Sequence, residues 1–263
     1  AYLSSNKNLE AAKEFEALAR SGGSDEEKKA ALWQAAKLYE SKGDNVAAIR
    51  AFRDYAHQFK RPFPQNMEAM YNLTSLYGKE GVIDKQEFWL KKIAAADRRA
   101  SASAKTDRTK YLASYSAYEM AKREWATYKK VRLLNPIKKS LKNKKRAMQE
   151  AVKYYGQASA YGRPEFITEA AHAIGEIYRD FSVALIESER PAGLSEEQLE
   201  QYEILLEDQA FPFEDKAIEF YEANVVRIKT GIYDDWVKQS LVQLEVLFPA
   251  RYARKGKVEK VIE

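Results

Sequence analysis

Cysteine is absent from this 263-residue chain. That excludes disulfides, thiolate zinc sites and cysteine nucleophiles, and it assigns no compartment. Histidine is almost as scarce. His57 and His172 stand far apart and outside any His-Glu-x-x-His arrangement, so each reads as a packed or groove residue rather than a ligand. Only 11 glycines and 7 prolines interrupt long stretches of Ala, Glu, Lys, Leu and Arg, which favours helix throughout. A glycine-rich phosphate loop is missing: Gly256-Lys257 lacks the preceding glycine and the following hydroxyl residue. No apolar run approaches the roughly 20 residues that span a bilayer. The chain opens at AYLSSN, with neither Met nor a signal-like segment, and reads as a mature or trimmed fragment. Carboxylates are plentiful, but none stands in a catalytic constellation, and Asp234-Asp235 reads as charge at a helix start. The expectation is a non-enzyme with no metal and no cofactor.

What is present is helical periodicity. Leu32, Ala35, Ala36 and Tyr39 recur at i, i+3, i+4, i+7, one apolar helix face. Lys42-Gly43-Asp44 breaks that pattern, with Gly43 suited to the left-handed residue that ends a helix. Ala48, Phe52, Tyr55 and Ala56 form a second face, which Pro62 and Pro64 stop. Met70, Leu73, Tyr77 and Gly81 then repeat Leu32, Ala35, Tyr39 and Gly43 at a constant offset of 38 residues. The partner helix, from about Asp84 to Arg98, carries Phe88, Trp89, Ile93 and Ala94. Such a helical pair cannot bury its own apolar face and needs stacked neighbours.

The flanking segments supply them. A stripe of Leu9, Ala12, Phe15 and Ala19 marks a helix in residues 2–20, and Ser24 with Glu27 forms a capping box after the Ser21–Ser24 turn. Thr106 to Leu134 reads as one long helix with Tyr111, Tyr115, Tyr118 and Trp125 in register, ended by Asn135-Pro136. Ile137 to Ala160 is its partner, carrying Leu141, Met148, Val152 and Tyr155. Ala171, Ile174, Gly175 and Tyr178 open another repeat, in a helix running through Phe181 and Leu185. Ser195 with Gln198 caps the next helix, Phe211-Pro212-Phe213 is expected to interrupt it, and Glu214 to Lys229 is expected as a separate helix. Asp234 to Phe248 is the last, followed by a basic tail after Tyr252. No strand pattern is legible. Asn72-Leu73-Thr74 matches a glycosylation acceptor but falls within a helix.

The segment from Ala31 to Phe63 resembles a tetratricopeptide repeat. Leu32, Ala35, Ala36, Tyr39, Gly43, Asp44, Ala48, Phe52 and Ala56 fill the family's places in order, with Ala replacing its Leu and Gly and the proline two residues late. The resemblance covers residues 29–98 and 168–230 and loosens between them. It implies an all-α, right-handed helical-hairpin solenoid with an elongated central hairpin. The expected organisation is repeats in residues 1–100, the elongated basic hairpin in 101–163, and repeats with a tail in 164–263. The resemblance also implies an inner groove lined by first-helix positions. These are Trp33, Lys37 and Glu40, then Tyr71, Ser75 and Lys79, then His172, Glu176 and Arg179. An exposed Trp and Tyr beside charges would suit an extended or helical peptide; the competing reading has Trp33 packed on the neighbouring hairpin. The C-terminal block from Gly193 to Tyr252 is similar to the end of large repeat proteins of bacterial cell envelopes, which implies a periplasmic or envelope scaffold, with a cytoplasmic site as the alternative.

Charge supplies the second candidate surface. The net charge is +5, and Lys122 to Arg146 holds eleven Lys or Arg against the single acid Glu124. Lys129, Lys130, Arg132, Lys138, Lys139, Lys142, Lys144, Lys145 and Arg146 form the patch. Like charges at i, i+4 cost a few tenths of a kcal/mol each. Two readings stand: a solvated hairpin tip, or a contact for an acidic protein, anionic lipid or nucleic acid. Glu196, Glu200, Glu203 and Glu207 make an acidic face at i, i+4, i+7, i+11, either solvated or paired with the basic hairpin within or between chains. The favoured function is a protein-binding scaffold. The alternatives are a cationic adaptor acting through Lys122 to Arg146, and a helical accessory region of a larger enzyme.

Overall fold

A computed structural model describes residues 7–21 and 23–253. Outside these fall Gly22 of the first turn, the beginning of the helix expected from residue 2, and the basic tail from residue 254 on. The described residues are helical and contain no strand. Eleven α-helices are described: α1 Asn8–Arg20, α2 Asp25–Ser41, α3 Asn45–Gln58, α4 Phe63–Lys79, α5 Ile83–Arg99, α6 Asp107–Lys130, α7 Ile137–Ser159, α8 Pro164–Ile186, α9 Glu196–Val226, α10 Asp235–Leu247 and α11 Pro249–Tyr252. The chain forms two compact units that divide between Ser116 and Ala117, within α6. In each unit consecutive helices pack on one another, consistent with a helical solenoid.

In the first unit the expected punctuation is in place. The Ser24 hydroxyl accepts from the Glu27 amide while the Glu27 carboxylate accepts from the Ser24 amide, closing the capping box. Gly43 and Gly81, 38 residues apart, both take left-handed backbone (φ 75° and 69°), the conformation that lets each helix stop and the chain turn back. Leu32, Ala35, Ala36 and Tyr39 are buried, as are Ala48, Phe52, Tyr55 and Ala56. Burying an aromatic such as Phe52 is worth about 1.5–3 kcal/mol, so these faces hold the stack. A polar tie joins α1, α2 and α3. The buried Glu16 carboxylate accepts from Arg50 at 2.8 and 3.0 Å, from the Tyr39 hydroxyl at 3.0 Å and from Arg20 at 2.5 Å. Phe88 is 45% exposed, against expectation; its neighbour Trp89 takes the core position of α5. Pro64 does not end a helix; it sits in the first turn of α4, where its missing N–H leaves no bond unmade. Asn72 and Thr74 are buried in that helix, closed to glycosylation.

In the second unit two boundaries differ from expectation. Helix α6 stops at Lys130, short of Leu134, and residues 131–136 are non-helical. Helix α9 runs unbroken for 31 residues with Pro212 inside it. A mid-helix proline costs about 3 kcal/mol, because it removes one hydrogen bond and crowds the preceding turn. The compensation lies on either side: Leu206, Ala210, Ala217 and Tyr221 are buried, Phe213 packs on Phe181 at 4.5 Å, and α9 makes its most extensive contact with α8. Length is therefore not special to the α6–α7 pair.

Candidate partner-docking site

The basic segment starts a helix badly. Helix α7 begins at Ile137 after Pro136, with no acidic residue in its first turn and Lys138 and Lys139 at its positive end. Cations there oppose the helix dipole by roughly 0.3–1 kcal/mol each, and the i, i+4 pairs Lys138/Lys142 and Lys142/Arg146 repel. What drives the helix is its apolar face, where Met148, Ala151, Tyr155 and Ala158 are buried.

The patch is not uniform. Lys144 is buried, its Nζ donating to the Val131 carbonyl at 3.1 Å, 3.4 Å from Asp180 and 4.0 Å from the centre of the Tyr128 ring. It anchors the segment after α6 and is closed to any partner, which corrects its place in the expected surface. Lys129 lies over the Trp125 ring at 5.1 Å. The others, Lys130, Arg132, Lys138, Lys139, Lys142, Lys145 and Arg146, are exposed and form no ion pair with any described residue.

Lys145 opens onto a cleft of about 220 Å³ between α7, α8 and α9. Its walls are apolar: Ile137 and Leu141 from α7, Phe181 and Leu185 from α8, and Leu205, Leu206 and Phe213 from α9. Tyr202 also lines it, and its hydroxyl is buried without a hydrogen-bond partner among the described residues. An unmade bond at a buried hydroxyl costs about 1–3 kcal/mol. The cleft thus offers apolar walls and a cationic rim, which together suit an apolar group carrying an anion.

The acidic face of α9 does not neutralise that rim. Glu203 pairs with Arg190 at 3.3 Å, whereas Glu196, Glu200 and Glu207 form no ion pair with a described residue. At about 100° per residue these glutamates lie roughly 120–130° around α9 from Tyr202, Leu206, Gln209 and Phe213, which face the cleft.

The nine groove positions are divided between the units. In the first, Trp33 is half-buried and set edge-on against Phe52 (5.6 Å) and Tyr55 (5.2 Å) of α3, so its ring packs on the next helix. Lys37 and Glu40 pair with each other at 2.8 Å. Tyr71 meets Tyr115 edge-on at 5.5 Å, and the Arg108 guanidinium lies 5.2 Å from the rings of both Tyr71 and Tyr111 while gripping Glu68 at 2.6 and 3.1 Å. Ser75 is half-buried and Lys79 exposed. In the second unit His172 is not a groove residue. It is buried against Tyr221 and Trp236, both at 5.5 Å, with Nδ1 3.1 Å from the Ser240 hydroxyl. The Ser240 proton goes to the Trp236 carbonyl at 2.8 Å, so the imidazole donates from Nδ1. Burial holds its pKa below the usual 6.5, with Glu176 pulling weakly the other way. Glu176 accepts from the Tyr221 hydroxyl and lies 3.9 Å from Arg179.

A second cavity, of about 400 Å³, lies in the first unit beside Val46, Ile49, Tyr77 and Val82. Of its two cations, Arg50 is tied to Glu16 at 2.8 Å and Arg53 lies 3.7 Å from Asp54. No group of three or more metal-ligating side chains occurs among the described residues, and no described helix is long and apolar enough to cross a membrane.

Sequence reasoning singled out the cations, Leu141, Phe181 and Leu185, but not Tyr202, Leu205 or Leu206. The signal was there: Tyr202, Leu206, Gln209 and Phe213 recur at i, i+4, i+7, i+11, a stripe that an expected break at Pro212 cuts short. No protein-family model matches the chain, and no curated protein is significantly similar to it.

Proposed function

We propose that this chain is a non-catalytic helical scaffold that binds protein partners, with an acidic partner segment docking at the basic-rimmed cleft between α7, α8 and α9. The observation that carries the reading is the cleft itself. It has apolar walls and, at its edge, Lys145, which has no ion-pair partner among the described residues and is backed by Lys138 and Lys142. Apolar pockets with a few convergent polar groups are where ligands and partner anchors bind. The stacked helical pairs and the 38-residue repeat support a tetratricopeptide-like arrangement, and its right-handed sense rests on the family resemblance alone. A place in a bacterial cell-envelope complex rests on the resemblance of the C-terminal block alone.

The test is affinity capture from native extract at low and high salt, read by mass spectrometry. The wild type is compared with Lys138→Gln/Lys142→Gln/Lys145→Gln and with Tyr71→Ala. A defined protein retained by the wild type and lost in the lysine variant is expected. Equal retention by the lysine variant overturns the site. The unpaired cations also favour a second reading, a cationic adaptor on nucleic acid or anionic lipid. For that reading, affinity for duplex DNA or anionic vesicles falls steeply with salt, and filling the cleft with a bulky side chain at Leu141 leaves it unchanged.

A further inference from the structure

The outer face of α9 is the chemical complement of the cleft. Phe211 is 62% exposed and Ile204 53%, seven residues apart and so on one face of the helix. Glu200 and Glu207 flank them, unpaired among the described residues, with Glu196 a further turn away. Large exposed apolar side chains bordered by charge mark an interaction surface. Both halves of a docking pair are therefore present on one chain, and neither has a partner among the described residues.

We infer that the cleft receives the outer face of α9 from a second copy of this chain. Phe211 of one copy enters among Leu141, Phe181 and Leu205 of the other. Glu207, one turn before it, supplies the counter-ion for Lys145. The inference rests on reading the cleft as a protein-docking site. The geometry also fixes the kind of assembly. At about 100° per residue, Ile204 and Phe211 lie about 180° around α9 from the residues that face the cleft. One contact cannot use both surfaces of both copies, so the pairing is head-to-tail, and each added copy leaves one cleft and one outer face open. Assembly then grows with concentration past the dimer. It is held by facing charges of opposite sign and weakens at about 1 M salt, where the screening length is only about 3 Å.

Sedimentation velocity of the full chain over a wide concentration range, at low and high salt, tests this. The wild type is expected to pass from monomer to species larger than a dimer, and to return to monomer in high salt. Phe211→Glu and Lys145→Glu each replace an exposed side chain, so the fold is kept; either alone is expected to weaken association by about tenfold or more. Mixed together the two variants are expected to form a discrete one-to-one dimer, because one retains its cleft and the other its outer face. A wild type that stays monomeric, or associates equally well in both variants, overturns the second-copy reading. A monomer that still captures a defined partner through its lysines would leave the protein-docking proposal standing.

Discussion

Replacing Gly175 by alanine separates tertiary packing from helix propensity at one site. Alanine is favoured over glycine inside a helix by about 1 kcal/mol, and Gly175 lies within α8 with ordinary helical backbone. A Cβ there would stand 2.5, 2.8 and 2.9 Å from three ring atoms of Tyr221. The ring has no room to move: Tyr221 is fully buried, its hydroxyl is bonded to Glu176, and His172 packs on it at 5.5 Å. Forcing an extra carbon into such a site costs about 1–3 kcal/mol. Gly156, in the last turn of α7, is the control, because a Cβ added there would meet nothing within 4 Å. Gly156→Ala is expected to stabilise by about 1 kcal/mol and Gly175→Ala to be neutral or destabilising, so the two differ by about 1–3 kcal/mol. Urea unfolding followed by circular dichroism, with hydrogen exchange of the α8 amides to localise the effect, measures both. If the two variants shift the midpoint equally upward, the close approach of α8 and α9 at Gly175 is refuted.

His172 gives a pH signature. Burial holds its folded pKa below 6.5, so the unfolded chain binds the extra proton; this contribution is complete above about pH 6.5 and is lost as pH falls toward the folded value. The acid-side drop in urea midpoint is expected to shrink in His172→Gln relative to wild type, and an unchanged drop would contradict its burial. Burial alone would raise the Glu16 pKa, but Arg50, Tyr39 and Arg20 bring it below 4.5, so its contribution is present above about pH 4.5 and lost below. Glu16→Ala is expected to destabilise the first unit by about 2 kcal/mol, with the largest loss of amide protection in α1 to α3 by hydrogen exchange. Lys144→Ala is expected to cost about 1–3 kcal/mol of stability, while Lys145→Ala leaves the melting temperature unchanged and weakens self-association; equal effects of both on melting would contradict the split between the neighbours.

Much of the first unit was legible because its signals are local. The turn glycines and the capping box each act within a few residues, the 38-residue repeat sets the same local signals twice, and all lie where the pattern puts them. The second unit was harder. Proline reads as a stop because its cost is local, whereas the compensation at Pro212 comes from Phe181 on another helix. The apolar stripe at Ile174 to Leu185 was readable, but only the fold shows that its partner is a single helix of 31 residues.

The docking surface was legible as charge and hidden as shape. Composition marks Lys138 to Arg146 as basic, and nothing in the run distinguishes Lys144 from Lys145. A helix does so by rotation: about 100° separates successive residues, which turns Lys144 beneath Tyr128 and leaves Lys145 at the cleft. The same rotation on α9 sends Tyr202 and Phe213 inward and Ile204 and Phe211 outward, so one helix helps build the cleft and carries the face that complements it. Trp33 runs the other way: sequence offers it either as an exposed anchor or as a packed residue, and the fold sets its ring edge-on against Phe52 and Tyr55. An aromatic at helical spacing is therefore weak grounds for a binding site, whereas charge without a partner among the described residues, set beside an apolar cleft, is stronger ground.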